Sequence, residues 1–131
     1  MNTPPAYGTY LVTGLMSGSS LDGVDLAACS FTREGKGWTY RILAAETIPY
    51  SSRLRDRLLH ATRLPPDEVQ RLDTELGAFF GDLVNRFHEA TGFRPGLVSS
   101  HGHTLFHEPE KGITFQAGNG LLMAERTGIT V

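Results

Sequence analysis

A segment rich in glycine, serine and aspartate, residues 14–23 (GLMSGSSLDG), contains the residue types best suited to chemistry in this sequence. Glycines let backbone N–H groups approach an anion closely, and successive N–H groups can form an anion-binding nest. Asp22 and Asp25 supply carboxylate oxygens of the kind that Mg²⁺ prefers. Three serines offer hydroxyl donors: Ser17, Ser19 and Ser20. The segment favours a phosphate-binding loop, with a long hairpin connection of ordinary turn residues as the alternative.

Three histidines lie close together further along the chain: His101, His103 and His107. Histidines two residues apart on an extended segment can share a face, which raises the hypothesis of a zinc site. A zinc site also needs a closed set of ligands with supporting hydrogen bonds. We favour a polar turn at residues 101–104 that lines a cleft, with a plain polar loop as the alternative.

Alternating and apolar runs predict the strands that must hold the glycine-rich segment. They cover residues 10–12, 24–31 and 38–48, and a turn at residues 34–37 joins the last two. Gly14 is expected to end the first strand and Pro49 the third. Consecutive strands with short connections form an antiparallel meander, which we predict for residues 8–48.

The pattern becomes helical in the middle of the chain. Ser51 or Ser52 can cap a short helix. A long helix is predicted from about Pro66 to Thr91, with Gly92 as its C-cap. Its apolar stripe, from Val69 to Phe87, should pack on the sheet. The remaining predicted elements are a parallel strand at residues 97–100, a polar loop at 101–112, a strand at 113–116, a helix at 121–126 and a strand that begins at Ile129.

Together these elements predict an α/β fold, in which a mixed sheet contains a three-stranded antiparallel meander followed by helix–strand units. The length of 131 residues predicts one domain. With 12 Lys and Arg against 14 Asp and Glu, the net charge of −2 argues against nucleic acid or an anionic membrane as partner. A single cysteine, Cys29, and the lack of a signal peptide in residues 1–5 favour a cytoplasmic protein.

Residues 14–25 (GLMSGSSLDGVD) closely resemble the N-terminal signature of the anhydro-N-acetylmuramic acid kinases, a family in the superfamily of sugar kinases, heat-shock ATPases and actin. Ser19 stands where the family has threonine, and it keeps the hydroxyl. Two later segments resemble family motifs in the same order. Residues 100–107 (SHGHTLFH) are similar to a Ser-His-Gly-Gln-Thr stretch, with His103 in place of glutamine. Residues 115–129 (FQAGNGLLMAERTGI) are similar to Gln-x-Gly and Ala-Glu-x-Thr-Gly segments.

The resemblance implies the first part of an actin-like (ribonuclease H-like) ATPase domain that uses ATP and Mg²⁺. The implied reaction opens the 1,6-anhydro ring of the sugar with water and phosphorylates it, in cell-wall recycling. The implied cofactor-binding residues, among which Asp22 is also a magnesium ligand, are Gly18, Ser19, Ser20, Leu21, Asp22, Gly23, Val24 and Asp25. The implied substrate-binding residues are His101, Gly102, Thr104, Gln116, Gly118, Asn119 and Glu125. Helix capping by Asn119 and a surface pair of Glu125 with Arg126 are the alternatives for two of them.

Members of the resembled family are several times longer than this sequence. The resemblance places their next motif, an Asp-Phe-Arg segment with the base Asp, beyond Val131, together with a second domain. The sequence is therefore interpreted as the N-terminal part of a sugar kinase, without measurable kinase activity alone, whose partners are the sugar and ATP. A homodimer is a further expectation for the longer enzyme. The alternative function is a non-catalytic module that binds sugar, phosphate or a protein partner.

Overall fold

The structure is a computed structural model that describes residues 7–131, apart from the side chain of His107. The expectation of no signal peptide in residues 1–5 lies outside the described residues. The strands are β1 (Tyr7–Ser17), β2 (Gly23–Glu34), β3 (Gly37–Pro49), β4 (Leu97–Glu108) and β5 (Ile113–Ala117). The α-helices are α1 (Ser52–Leu59), α2 (Pro66–Thr91) and α3 (Gly120–Thr127). Within residues 7–131, no helix combines the length and the apolar character needed to span a membrane.

The strands form one mixed sheet in the order β3-β2-β1-β4-β5, and its first three strands form the predicted antiparallel meander. The prediction that Gly14 ends the first strand is wrong, because β1 continues to Ser17. Gly14 lies opposite Ala27 on one side and Ser99 on the other. A glycine weakens a strand, but pairing with neighbours on both sides keeps this one extended. The turn between β2 and β3 consists of Gly35 and Lys36.

The helix ends follow the signals in the sequence. Ser51 caps α1, since its Oγ accepts the N–H of Leu54 (3.2 Å). Pro66 lies in the first turn of α2, where a missing N–H costs nothing. Gly92 follows α2 in the left-handed conformation, with φ 71°, and its N–H donates to the carbonyl of His88. These ends confirm the predicted caps.

One hydrophobic core lies between α2 and the sheet. β4 runs parallel to β1, as predicted, after the chain has crossed over through α1 and α2. The apolar stripe of α2 packs on the sheet, and each of its large side chains contributes about 1.5–3 kcal/mol by leaving water. Fully buried members of this core are Leu26, Leu72, Leu76, Phe80, Val84, Phe87 and Val98.

The helices cover one face of the sheet and leave the opposite face exposed. Along β1, Thr13, Leu15 and Ser17 point to the covered face and are buried. Met16 lies on the opposite face and is exposed, as is Ile42 of β3. The exposed face therefore begins directly beside the connection between β1 and β2.

Two sequence predictions for the last third of the chain are wrong. Residues 101–112 are not a polar loop, because β4 continues to Glu108 and pairs antiparallel with β5. Pairing with β5, the next strand along the chain, decides the conformation here. The strand expected from Ile129 is also absent from the part of the chain that the structure describes. Val98 N–H donates to the carbonyl of Thr130 (2.9 Å), which is one hydrogen bond and not a ladder.

Candidate functional site

The glycine-rich segment forms a loop, Gly18–Asp22, between β1 and β2. Leu21 fixes its shape, because its N–H donates to the Gly18 carbonyl (3.1 Å) and its side chain is buried in the core. Leu21 has a φ of 59° and is the one non-glycine residue with positive φ among residues 7–131. Such a conformation costs about 1–3 kcal/mol, and residues that adopt it cluster at functional sites. The loop is therefore held in one shape against a local cost.

Gly18 begins this loop and Gly23 directly follows it, but the surroundings of the two glycines differ. A Cβ added to Gly18 would meet only the Oγ of Ser20, at 3.7 Å, and the φ of Gly18 is not left-handed. A Cβ added to Gly23 would lie 2.2 Å from the carbonyl oxygen of Ile48 in β3. The backbone at Gly18 is thus open to a ligand, whereas Gly23 is required for the packing of β2 on β3.

The outer side of the loop carries the polar side chains that the sequence predicted. Ser19, Ser20 and Asp22 are exposed. Asp25 is also exposed, on the uncovered face of the sheet, but its Oδ1 accepts a hydrogen bond from the Thr47 hydroxyl (2.6 Å). Asp22 is therefore the loop carboxylate that is best placed to meet a cation.

Two other residues of the segment face inward. The prediction of Ser17 as a hydroxyl donor toward a ligand is wrong, because its side chain is buried and hydrogen-bonded to Tyr50 and His103. Val24, which the resemblance implied as cofactor-binding, is fully buried in the core. A ligand on the loop could therefore meet only the backbone of Val24 or Leu21.

His101 and His103 do not share a face, in contrast to the expectation from their spacing. The ladder between β1 and β4 shifts by one residue: Leu15 lies opposite Ser100, but Ser17 lies opposite His103. Gly102, with φ 67°, absorbs the extra residue, and a shift by one reverses the facing of every later side chain. His101 is exposed while His103 is buried, with its Nδ1 2.8 Å from Ser17 Oγ.

The described part of the chain gives these histidines no metal cluster. Among the described residues, no three or more His, Cys, Asp or Glu side chains come together in a way that could hold a metal ion. The side chain of His107, the third histidine of that hypothesis, lies outside the described residues.

Most of the predicted substrate-binding residues meet at one cavity. A cavity of about 510 Å³ opens beside the first half of β4, where β5 pairs only from His103 onward and the N–H of Val98 bonds the carbonyl of Thr130. Four predicted residues line it: His101, Gly102, Gln116 and Gly118. Ser100 lines the same cavity, and its buried Oγ has no hydrogen-bond partner among the described residues. A buried hydroxyl without a partner costs about 1–3 kcal/mol, so Ser100 is a candidate ligand-binding residue.

The other three predicted substrate-binding residues do not line this cavity. Thr104 lies opposite Gln116 in the ladder between β4 and β5. Asn119 caps α3, because its Oδ1 accepts the N–H of Leu122 (3.0 Å), which bears out the capping alternative. Glu125 is exposed on α3 and forms no pair with its neighbour, since Arg126 instead donates to the carboxylate of Asp82 (3.0 and 3.2 Å).

Asp73 on α2 supports the cavity, although sequence reasoning missed it. Its Oδ1 accepts the N–H of Gly118 (2.9 Å), and its carbonyl accepts the N–H of Asn119 (3.1 Å). Both donors precede α3, so one residue of α2 fixes the segment that joins β5 to α3. The only signal in the sequence was an acidic residue directly beside the buried Leu72.

Acidification below about pH 6.5 is expected to destabilise the fold, because His88 and His103 are buried. Burial lowers the pKa of both imidazoles, and Arg94 lowers the pKa of His88 further. In the unfolded chain both titrate near about 6.5, so below that pH the unfolded state binds more protons. Stability that is fully present above this pH is therefore lost as the pH falls through the lowered pKa values. Urea unfolding at several pH values checks this, and the double variant H88Q/H103Q should show a weaker dependence.

The fold and the site together define a class of protein. An antiparallel meander, a parallel β4 and a glycine-rich loop between the first two strands are the features of the first part of an actin-like ATPase domain. The chain belongs to the anhydro-N-acetylmuramic acid kinase family, whose family model matches residues 10–131.

Curated relatives carry the same family name. An anhydro-N-acetylmuramic acid kinase from Streptomyces coelicolor is 43% identical over 129 residues, which cover 92% of this chain and 32% of the relative. The kinase of this name from Gloeobacter violaceus is 38% identical over 130 residues, 92% of this chain and 34% of the relative. That from Pseudomonas putida is 36% identical over 127 residues, again 92% and 34%. The chain thus spans about a third of the length of the curated relatives it matches.

Proposed function

We propose that this chain holds the phosphate groups of ATP at the loop Gly18–Asp22, as part of a kinase that acts on anhydro-N-acetylmuramic acid. The observation that carries the proposal is the loop itself. Its backbone is open at Gly18, its conformation is fixed by the strained Leu21, and Ser19, Ser20 and Asp22 are exposed around it. Family membership supplies the reaction class.

The loop offers an anion the donors that phosphate binding requires. Backbone N–H groups near Gly18 and the hydroxyls of Ser19 and Ser20 can donate to phosphate oxygens. Amides that are already fixed in place stabilise developing charge without reorganisation, which is the main catalytic lever in phosphoryl transfer. The strain at Leu21 is consistent with this role, because it keeps the loop from relaxing into an ordinary turn.

The carboxylates near the loop fit Mg²⁺. This cation binds through one or two carboxylates, with phosphate oxygens and water completing its shell. Asp22 is exposed and beside the loop, whereas Asp25 is engaged by Thr47. Asp22 is therefore the proposed ligand, and Mg²⁺ when bound would neutralise charge on the phosphate oxygens.

The sugar is proposed to bind at the cavity beside β4. Ser100 supplies a hydroxyl without a partner, and His101 and Gln116 supply exposed polar side chains at the same cavity. The proposed reaction opens the 1,6-anhydro ring with water and transfers phosphate to the sugar in the cytoplasm. The resemblance assigns the base Asp to the Asp-Phe-Arg segment and not to residues of this chain.

Two measurements test the proposed function. Titration of the isotope-labelled chain with Mg·ATP should shift the amide resonances of Gly18–Asp22 ahead of all others. Substitution of this chain for the matching third of the Streptomyces coelicolor relative should preserve phosphorylation of anhydro-N-acetylmuramic acid. A chain that binds the sugar but never Mg·ATP would instead support the non-catalytic alternative.

Replacing Asp22 with asparagine is expected to weaken Mg·ATP binding about tenfold and leave the fold intact. The side chain is exposed, so only its charge toward the cation is lost. Isothermal titration at several magnesium concentrations measures the effect, with D56N, which removes an exposed charge from α1, as the control. Equal affinities for D22N and the unaltered chain at every magnesium concentration would show that Asp22 does not bind the cation.

A further inference from the structure

Three buried polar side chains meet at the base of the loop. Ser17 ends β1, Tyr50 follows β3, and His103 lies on β4. Their exposed fractions are 2%, 9% and 4%, respectively. Nothing in the sequence pattern connects them, because they are 33 and 86 residues apart.

Ser17 is the centre of the hydrogen-bond network. Its Oγ is 2.8 Å from His103 Nδ1, and it also bonds the hydroxyl of Tyr50. A serine hydroxyl has one proton and two lone pairs, so it can donate to one neighbour and accept from the other. The ring of Tyr50 in turn packs on Phe79 of α2, with 6.1 Å between ring centroids. The network thus ties the end of β1 to β4, to the residue after β3 and to α2.

This network stands where the backbone ladder is irregular. The register between β1 and β4 shifts between Leu15 and Ser17, and Gly102 absorbs the extra residue. Backbone pairing at the end of β1 is therefore regular only toward β2, where Ser17 lies opposite Val24, and is irregular toward β4. Hydrogen bonds are directional, whereas apolar contacts are not, so buried hydrogen bonds at this point restrict the orientation of Ser17. Gly18, the first residue of the loop, follows immediately.

We propose that Ser17, Tyr50 and His103 are positioning residues for the phosphate-binding loop: their network fixes the direction in which β1 enters it. The consequence for ATP rests on the proposed function. None of the three touches the ligand; each acts through the backbone of Gly18 and the residues that follow it.

The chain contains a matched control for this idea. Thr13 lies on β1 two residues before Leu15, with its side chain on the same face. Thr13 is buried, and its Oγ1 is 2.8 Å from Nε2 of the buried His88. This pair is likewise a 2.8 Å contact between a hydroxyl and an imidazole of two buried residues, through Nε2 of His88 where His103 uses Nδ1. It joins β1 to the last turns of α2, away from the loop, so its loss should affect stability but not the loop.

The experiment compares H103A with H88A in the 131-residue chain, without nucleotide. Amide hydrogen exchange of Leu21, whose N–H bonds Gly18 within the loop, reports local opening. H103A should speed this exchange about tenfold, which is the effect of losing one hydrogen bond. H88A, at comparable global stability, should leave the exchange rate of Leu21 unchanged. H103Q should restore slow exchange, because the glutamine amide can replace the imidazole as partner of Ser17.

Mg·ATP affinity provides the second readout. H103A should weaken it about tenfold, and H103Q should return it to the level of the unaltered chain. If H103A does not fold, Y50F removes a single hydroxyl of the network and keeps the ring on Phe79, and it should alter Leu21 exchange in the same direction. The proposal would be overturned if the amide of Leu21 exchanged at the same rate in H103A and H88A. It would also be overturned if Y50F changed neither the exchange of Leu21 nor the affinity for Mg·ATP. Failure of the unaltered chain to bind Mg·ATP would overturn the proposed function, while the exchange contrast would still decide the positioning role.

Discussion

Replacing Gly18 with valine is expected to reduce the affinity of the chain for Mg·ATP roughly 100-fold, through loss of about two hydrogen bonds to charged phosphate oxygens. A Cβ at this position meets nothing nearer than Ser20 Oγ, at 3.7 Å, and φ is not left-handed, so the fold has room for a Cβ here. The branched group instead occupies the space through which phosphate oxygens would approach the backbone N–H groups.

Stability separates this effect from misfolding. A surface substitution without a clash usually changes stability by less than about 0.5 kcal/mol, which is roughly 2 °C in melting temperature for a domain of this size. G37V is the matched control, because a Cβ at Gly37 also meets only one atom at an ordinary distance, the Glu34 carbonyl oxygen at 3.6 Å. Gly37 begins β3, at the end of the β2–β3 ladder that is away from the loop. Calorimetric titration and thermal melting of the same samples decide the matter. Binding of Mg·ATP by G18V at the unaltered affinity would remove this loop from the nucleotide site.

Local patterns were enough to predict the meander, α2 and the position of the loop. Period-two alternation marks the strands before Pro49, and period-3.6 recurrence from Val69 to Phe87 marks the helix. Each pattern depends on residues that are only a few positions apart along the chain, so it can be recognised directly in the sequence. The loop was visible for the same reason, since glycine, serine and aspartate cluster at residues 18–22.

The parts that sequence reasoning missed depend on contacts between distant residues. Ser17 had the residue type of a phosphate donor, but only its register opposite His103 shows that it points inward. The facing of His103 itself depends on the positive φ of Gly102, which has no local signature beyond the glycine. Asp73 acts through the N–H of Gly118, which is 45 residues away. Burial and pairing of this kind are set by the whole sheet, not by spacing along the chain.

The cavity beside β4 also combines residues that could be predicted from the sequence with a residue that only the structure identifies. The resemblance implied seven substrate-binding residues, and four of them line one cavity. Asn119 has a local capping task that its position before a helix already indicated. Ser100 was part of the resembled motif but received no role, because only the structure shows that its hydroxyl is buried without a partner.

Replacing Gly23 with alanine is expected to have the opposite outcome from the Gly18 substitution, although Gly18 begins the loop and Gly23 directly follows it. A Cβ at Gly23 would lie 2.2 Å from the Ile48 carbonyl oxygen and 2.9 Å from Cα of Pro49, and both contacts are backbone atoms of β3. Gly23 pairs with Pro49 in the register, so β3 can yield only by opening the end of its ladder with β2.

The expected cost of that opening is about 3 kcal/mol, the upper part of the usual range for overpacking, or a fall of roughly 10 °C in melting temperature. G37A, whose Cβ makes only an ordinary contact with the Glu34 carbonyl oxygen (3.6 Å), should melt as the unaltered chain does. Thermal melting and Mg·ATP titration of G23A distinguish two reasons why this position needs glycine: packing against β3, or close approach of the ligand. The steric reason predicts a large loss of stability, with any loss of affinity following from the displaced loop. A chain that melts normally and yet fails to bind Mg·ATP would show instead that Gly23 is needed for close approach of the ligand, as the family resemblance implied. The short distance to β3 favours the steric reason, because no rearrangement of a side chain can relieve a contact between two backbones.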